Sequence, residues 1–316
     1  MGKTLKNGLL SGLKTTWILG KIIFPVTLIV TLLQYTPVLP WLMEAISPVM
    51  RLFGLSGDAS IPLVLGNFLN LYAAIGAILS LDLTVKEVFI LAVMLSFSHN
   101  LFLESSVATR VGVRLSVVLA VRLGLAIVSA IVINLVWRGG SAPAQYGMAP
   151  PLQADPEGWG QIWLIGLEKA GYGIFQLALI VIPLMIVIQI LKDLKWLAVF
   201  SRWMSPITRM LGMKENTSTT LASGLLFGLA FGSAVMIQAV KEDGVGYRDV
   251  TLAMIFLVAC HAIVEDTLIF VPLGITGLPL VTLFFIRLIT AVLLTLAVSA
   301  IWKPAEMTQG KEAKLS

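Results

Sequence analysis

The chain has few charged residues and a single cysteine, and each shortage excludes a class of protein or site. Only 12% of its 316 residues are charged and 58% are hydrophobic, whereas soluble domains carry about 25% charged residues. The polar surface is therefore too small to cover a water-facing globule. Because Cys260 is the only cysteine, an intramolecular disulfide and a multi-cysteine metal site are excluded. Since the sequence contains no phosphate-binding loop, Ser-His-Asp order or HExxH motif, we expect a protein that is not an enzyme.

Long apolar blocks take the place of the missing charge. A helix needs about 20 residues to cross a bilayer, and these blocks lack the polar face that a soluble helix shows every third or fourth residue. They therefore predict an all-α integral membrane protein with several spans. The basic residues behind the net charge of +5 lie at the block ends, which is typical of topology signals and not of nucleic acid binding. The clearest blocks are residues 17–33, 61–81, 115–137, 174–191, 221–240 and 278–301.

The second half of the sequence repeats the first at an offset that grows from 158 to 165 residues. Charged, histidine, glycine and proline positions fall in register, which is harder to attribute to chance than matches among apolar residues. The aligned pairs include Pro25 and Pro183, Arg51 and Arg209, Gly66 and Gly224, His99 and His261, and Arg122 and Arg287. We predict a first repeat (residues 1–138), an extracytoplasmic linker (139–160), a second repeat (161–302) and a cytoplasmic tail (303–316).

The basic residues predict how the repeats are oriented. Each half is expected to hold about three spanning helices, an interfacial helix (residues 37–55 and 196–213) and a re-entrant, broken element around its histidine (88–112 and 250–274). Four spans per half would place the basic residues between 192 and 214 outside, against the positive-inside rule. Three spans per half invert the second repeat and leave 14 of 22 Lys and Arg residues cytoplasmic. We therefore predict two inverted repeats, with both termini cytoplasmic.

The two histidines lie in matching motifs, SHNLFLES at residues 98–105 and CHAIVEDT at 260–267. In register, Glu104 aligns with Asp266, so that each half combines a histidine with an acid and a hydroxyl. An ionisable side chain at bilayer depth costs about 3 kcal/mol, which favours burial between the repeats over exposure to lipid. We expect these groups to bind a small polar solute or a coupling ion, H+ or Na+. The expected residues are His99, Asn100, Glu104, Ser105, His261, Glu265, Asp266 and Thr267, with Asn67 and Asn70.

Two other interpretations of the motifs stay open. In the first, the histidine–acid pairs only stabilise the re-entrant turns through hydrogen bonds. In the second, they bind a divalent metal, with His99, Glu104, His261, Glu265 and Asp266 as candidate ligands. His261 and Glu265 are four residues apart and share a helix face. His99 and Glu104 are five apart and do not, unless the helix breaks between them.

Two further features belong to the apolar core. Arg122 and Arg287 lie a few residues into the last span of each half and are expected to pair with the buried acids, or to extend to the membrane interface. Gly224, Gly228 and Gly232 repeat every four residues, a spacing that lets helices approach closely.

The segment GLLFGLAFGSA at residues 224–234, followed by CHAIVEDTLIF at 260–270 and Gly274, resembles the nucleoside recognition (Gate) family of bacterial membrane proteins. That family includes the spore maturation proteins A and B, and is similar to gate segments of concentrative nucleoside transporters and ferrous-iron transporters of the B family. The resemblance covers almost the whole chain, once in each half. It implies inverted gate units with re-entrant hairpins in a bacterial cytoplasmic membrane.

The resemblance also bears on function. It implies transport or gating of a small polar solute, for example a nucleoside-like one, at the interface of the repeats. The alternatives are a pathway for divalent metal ions and a non-transporting membrane partner or scaffold. The expected partners are the lipid bilayer, the solute and a second copy in a homodimer; no nucleic acid polymer is expected.

Overall fold

The computed structural model describes residues 2–146, Pro156 and residues 158–302, and this part of the chain is built from α-helices without a β-strand. Residues 147–155 and 157 of the predicted linker and the whole predicted tail lie outside the described residues. In the first half the helices are α1 (Gly2–Gln34), α2 (Val38–Leu52), α3 (Ser60–Phe68), α4 (Leu71–Ile78), α5 (Val85–Ser98), α6 (Leu101–Arg110) and α7 (Leu115–Val136). In the second half they are α8 (Trp159–Asp193), α9 (Trp196–Met210), α10 (Ser218–Glu242), α11 (Tyr247–Cys260), α12 (Glu265–Leu268) and α13 (Gly277–Ile301).

Four stretches of the described residues are long and apolar enough to cross a membrane: Val85–Arg110, Leu115–Val136, Tyr247–Leu268 and Gly277–Ile301. The helices α1 and α8, with 33 and 35 residues, also exceed the length that a crossing needs. The core lies in α5 and α11, where nearly every side chain is buried. The predicted all-α membrane protein is thereby confirmed.

The helices α3 and α4 form a hairpin that returns to the side where it begins. Asn70 ends the first arm and caps the second, because its side chain accepts a hydrogen bond from the Ala73 amide at 2.9 Å. The two ends of the hairpin meet at Glu87, whose carboxylate accepts from the Ser56 amide at 2.8 Å and from the Thr84 amide at 2.9 Å. The hairpin therefore dips into the protein and does not cross it.

The helix α10 turns back in the same way, at Gly228. This residue has φ 73° and ψ 177°, a backbone conformation that residues other than glycine rarely adopt. The chain reverses there, which brings the Ser223 hydroxyl to 3.4 Å from the Gly232 carbonyl oxygen. At the open end of this second hairpin, the Asn216 side chain donates to the Asp243 carbonyl at 2.9 Å.

The histidine-bearing elements run in one direction along their neighbours. Lys86, at the start of α5, donates to the Asn134 carbonyl near the end of α7 at 3.1 Å. Arg122, in the first part of α7, donates to the Phe97 carbonyl at 2.8 Å. The pair α5–α6 therefore runs antiparallel to α7 over its whole length, broken only between Ser98 and Leu101.

The prediction had therefore exchanged two elements. Residues 61–81 and 221–240 were expected to span, and the histidine elements to turn back. In the structure residues 61–81 and 221–240 form hairpins, whereas the histidine-bearing stretches Val85–Arg110 and Tyr247–Leu268 are long enough to span. Two helices of eight or nine apolar residues have the same hydropathy as one span, so hydropathy does not distinguish them. Each half still has three helical stretches long enough to cross a membrane: α1, α5–α6 and α7 in the first, and α8, α11–α12 and α13 in the second.

The first helices of the two halves, α1 and α8, pack side by side in opposite directions. A Cβ built on Gly8 lies 2.7 Å from the Ile186 Cα, one on Gly12 lies 2.9 Å from the Ile182 Cα, and one on Gly20 lies 3.5 Å from the Ile174 side chain. The partner number falls as the first number rises, as an antiparallel pair requires. The small residues permit this close backbone approach.

Candidate functional site

The candidate site lies where the two histidine-bearing elements are broken. After His99 the chain turns at Asn100, which has a left-handed conformation (φ 52°). After His261 it turns at Ala262 (φ 40°). Asparagine tolerates this conformation, whereas alanine is strained in it, and such strain concentrates at functional sites.

Each break is connected to the tip region of the hairpin in its own half. The Asn100 amide donates to the Gly66 carbonyl at 2.9 Å, and the Ala262 amide donates to the Gly224 carbonyl at 3.1 Å. Both glycines lie against leucine side chains of the broken helices, so a Cβ at either position would collide with its leucine. The absence of a side chain therefore lets each hairpin reach the break.

The two histidines are oriented alike by backbone carbonyls. His99 Nδ1 lies 2.7 Å from the Leu95 carbonyl oxygen, and His261 Nδ1 lies 2.9 Å from the Leu257 carbonyl oxygen. A carbonyl oxygen only accepts, so each Nδ1 carries a hydrogen and donates it. The rings stand 5.2 Å apart between centroids, with both Nε2 atoms directed towards the acids.

The two acids contact the histidines of both halves. Glu104 Oε1 lies 3.3 Å from His99 Nε2 and 3.2 Å from His261 Nε2. Asp266 Oδ2 lies 3.4 Å from His261 Nε2 and 3.9 Å from His99 Nε2. All four residues are buried. Glu104 and His261, which are 157 residues apart in the sequence, therefore belong to one cluster.

Each acid also pairs with an arginine that is inaccessible to solvent. Arg122 Nη1 lies 2.7 Å from Glu104 Oε2, and Arg287 Nη2 lies 3.0 Å from Asp266 Oδ2. The guanidinium groups also donate to the backbone carbonyls of the histidines, His99 for Arg122 and His261 for Arg287. The arginines thus offset the buried negative charge and hold the two breaks in position.

Glu265 departs from the symmetry. Five residues after each histidine comes the acid that contacts it, so the expectation that His261 and Glu265 share a helix face is wrong; the helix is interrupted between them. Glu265 instead accepts a hydrogen bond from the Tyr72 hydroxyl at 3.4 Å. The position equivalent to Glu265 in the first half is Leu103, so this carboxylate has no counterpart. Tyr72 was not predicted, because its alignment with Ala230 offers no signal of a contact with Glu265.

The remaining predicted residues lie around this cluster. Thr267 accepts from Arg287 at 3.3 Å and donates to the Ile263 carbonyl at 2.6 Å. The hydroxyl of Ser105 and the Oδ1 of Asn67 are buried and have no hydrogen-bond partner among the described residues. Both residues line a groove of about 460 Å³ between α3, α6 and α7, with apolar walls formed by Phe68, Leu101, Phe102, Leu115, Leu119 and Leu123.

Asn70 and Asn100 have local structural positions. Asn70 caps α4 at the tip of the first hairpin, and Asn100 occupies the left-handed turn after His99. The predicted set therefore contains the four residues of the cluster, together with Asn70 and Asn100, which fix the backbone next to it.

Comparison with known proteins shows which family the chain matches. Residues 16–120 and 174–300 match the Gate family, described as nucleoside recognition. The chain is 62% identical over 314 residues to the uncharacterized membrane protein YvoD of Bacillus subtilis (strain 168), covering 99% of this chain and 100% of that protein. No solved structure matches the chain.

Proposed function

The chain belongs to the Gate (nucleoside recognition) family of membrane proteins, and from this membership we propose that it transports, or gates the passage of, a small polar solute bound between its two halves. The observation that carries the proposal is the single buried cluster formed by His99, Glu104, His261 and Asp266. Ionisable groups at bilayer depth are costly and mark solute or ion pathways. Broken helices that meet between repeats form the binding sites of many transporters.

We propose further that the halves are inverted repeats. The antiparallel packing of α1 against α8, which are equivalent helices, supports this arrangement. Matching contacts support it as well: the hydrogen bonds of Asn100 to Gly66 and of Ala262 to Gly224 occur at equivalent positions. The two hairpins then open towards opposite sides of the membrane and meet at the cluster.

The distribution of basic residues supports cytoplasmic termini in a bacterial cytoplasmic membrane. Along the path of the described helices, 12 Lys and Arg residues lie on the side of the N-terminus and four on the other. The first group is Lys3, Lys6, Lys14, Arg110, Arg114, Lys192, Lys195, Arg202, Arg209, Lys214, Lys241 and Arg248. The second is Arg51, Lys86, Arg138 and Lys169. The first side is therefore the cytoplasmic one under the positive-inside rule.

The hairpins are the moving parts of the proposed mechanism. Each reaches the cluster through one backbone hydrogen bond to a helix break, at Gly66 or Gly224. Withdrawal of one hairpin breaks that bond and opens a path from its own side, while the other hairpin keeps the far side closed. The groove beside Asn67 and Ser105 is the proposed approach to the cluster in the first half, because the Oδ1 of Asn67 and the hydroxyl of Ser105 have no hydrogen-bond partner among the described residues.

The test is uptake into proteoliposomes. Purified protein is reconstituted and presented with labelled nucleosides, other small polar solutes and divalent cations, with and without a proton or sodium gradient. We expect saturable flux of one solute class, reduced at least tenfold in Glu104→Gln and Asp266→Asn. Glu242→Gln makes the same chemical change at an exposed site and is expected to retain wild-type flux.

Each outcome of the panel decides between functions. Flux that depends on the two acids supports a solute pathway through the cluster. Equal flux in Glu104→Gln, Asp266→Asn and Glu242→Gln removes the cluster from the pathway. Absence of flux for every solute, with folded protein, favours the membrane partner or scaffold.

A further inference from the structure

We propose that His99, His261, Glu104 and Asp266 form a binding site for one divalent transition-metal ion, with Zn2+ as the reference ion. The ligand atoms are the two Nε2 atoms, Glu104 Oε1 and Asp266 Oδ2. This inference deepens the proposed function by naming a ligand class for its central cluster. It is tested by equilibrium binding, so that its failure is distinct from a failure of transport.

The orientation of the histidines is the first argument. Since each Nδ1 donates its hydrogen to a backbone carbonyl, a neutral ring presents the lone pair of Nε2 towards the carboxylates. A lone pair facing a carboxylate oxygen at 3.2–3.4 Å is repulsive. A cation between them converts this repulsion into four favourable contacts.

The spacing of the ligand atoms is the second argument. Around a tetrahedral Zn2+ with bonds of about 2.0–2.2 Å, neighbouring ligands stand about 3.4 Å apart. The nitrogen–oxygen separations around the cluster are 3.3, 3.2, 3.4 and 3.9 Å. The ligand atoms of His99, His261 and Asp266 all lie within 4.8 Å of one another. Of the four nitrogen–oxygen separations, that between His99 and Asp266 has to shorten most when an ion is bound.

The surroundings are the third argument, because metal-binding histidines normally donate their other nitrogen to a carbonyl or carboxylate. The carbonyls of Leu95 and Leu257 fill that position here. Glu104 is held through its second oxygen by Arg122, which leaves Oε1 for the ion. Asp266 Oδ2 accepts from Arg287 through one lone pair and keeps another.

The charge of the region is the fourth argument. Glu104, Asp266 and Glu265 supply three carboxylates, whereas Arg122 and Arg287 supply two guanidinium groups. With neutral histidines and three ionised acids the formal charge is therefore −1, so the region carries no excess of positive charge that would repel a cation. Two imidazole nitrogens and two carboxylate oxygens suit Zn2+, Co2+, Mn2+ or Fe2+ better than Mg2+ or Ca2+, which prefer oxygen ligands alone.

The experiment measures metal bound by the full chain in detergent, carrying an affinity tag without histidine. The protein is dialysed against Zn2+ and the metal bound per chain is measured. The affinity is determined by isothermal titration calorimetry. Co2+ supplies a spectroscopic signature, since four-coordinate Co2+ absorbs visible light far more strongly than the hydrated ion. We expect one Zn2+ or Co2+ per chain and no binding of Mg2+.

The variants separate ligation from folding. In His99→Asn and His261→Asn the side-chain amide replaces the Nδ1–H donor to the carbonyl but provides no atom at the Nε2 position. Each is expected to weaken Zn2+ binding by about 100-fold or more, given that even outer-shell changes cost 10–100-fold. Glu242→Gln, which alters an exposed carboxylate outside the cluster, is expected to bind one Zn2+ still.

Two results overturn the proposal. One is wild-type protein that is folded and binds no Zn2+ or Co2+ saturably, in which case the histidines are held as protonated partners of the acids. The other is unchanged affinity in both asparagine variants, which locates the ion at another site. Solute flux in proteoliposomes without any metal binding contradicts this inference and leaves the proposed function intact.

Discussion

The buried ion pair between Arg287 and Asp266 allows a sharp test of the electrostatic account of the cluster. Arg287 is fully buried, and its Nη2 lies 3.0 Å from Asp266 Oδ2. Arg287→Met keeps an apolar side chain of similar length but leaves a buried carboxylate without its partner. Removing one member of a buried pair costs about 3–5 kcal/mol. We therefore expect the free energy of unfolding to fall by that amount.

A double-mutant cycle isolates the pair from the other bonds of Arg287. This arginine also donates to the His261 carbonyl at 2.7 Å and to Thr267 at 3.3 Å. Those losses occur in Arg287→Met whether residue 266 is Asp or Asn, so they largely cancel. We expect the double variant with Asp266→Asn to be more stable than the sum of the single effects predicts, with a coupling energy of about 1–3 kcal/mol.

An exposed pair in the same protein is the matched control. Arg209 and Glu215 lie 2.8 Å apart, with side chains 62% and 55% exposed. Because solvent screens such a pair, its coupling energy is expected to be about 0–1 kcal/mol. Both cycles are measured by equilibrium unfolding in mixed micelles, followed by circular dichroism. A coupling energy at Arg287 no larger than that at Arg209 refutes the electrostatic account of the cluster.

Three further predictions concern the backbone and the asymmetric contact. Gly228→Ala is expected to lower the free energy of unfolding by about 1–3 kcal/mol, because alanine is strained at φ 73°. The control Gly246→Ala is expected to have a much smaller effect, because a Cβ there meets no neighbour within 4 Å. Tyr72→Phe is expected to lower the free energy of unfolding by about 1 kcal/mol, since Glu265 loses the hydroxyl that donates to it. Cysteines replacing Gly12 and Ile182 are expected to form a disulfide on mild oxidation, because a Cβ on Gly12 lies 3.3 Å from the Ile182 Cβ.

Each of these predictions has a specific contradiction. Equal stability of the two glycine variants removes the argument that Gly228 reverses the chain. If Tyr72→Phe destabilises Glu265→Gln as much as it destabilises the wild type, the hydroxyl does not act through that carboxylate. In a chain with Cys260→Ser, cross-linking of Gly12→Cys to Ala170→Cys, the equivalent position in the second half, indicates parallel packing of α1 and α8 and contradicts the structure.

The sequence predicts the central cluster well because residue identity carries the signal. Charged and histidine residues are rare in this chain, so their alignment at a fixed offset stands out against the apolar background. The alignment identified Glu104 and Asp266 as equivalent, and the structure has them in equivalent contacts with His99 and His261. The spacing argument failed for His261 and Glu265 because it assumed an unbroken helix between them, whereas α11 ends at Cys260.

The path of the backbone was harder to predict, for a physical reason. Both arms of each hairpin are apolar, so their summed hydropathy equals that of a single span. The chain reverses at Asn70 in one hairpin and at Gly228 in the other. Gly228 also fits the four-residue glycine spacing typical of close helix packing, and this pattern concealed its role as a turn. Tyr72 meets Glu265 from a distant part of the chain, a contact that no local pattern indicates.

Because Glu104 contacts His261 across the molecule and Asp266 faces His99, the cluster is complete only when both halves contribute to it. A gene encoding only one half would yield a protein that needs a second copy to supply the other histidine and acid. Fusion of the halves fixes that pairing at one to one. It also frees each copy to diverge, and Glu265 opposite Tyr72 is a point in the shared centre where the two copies differ.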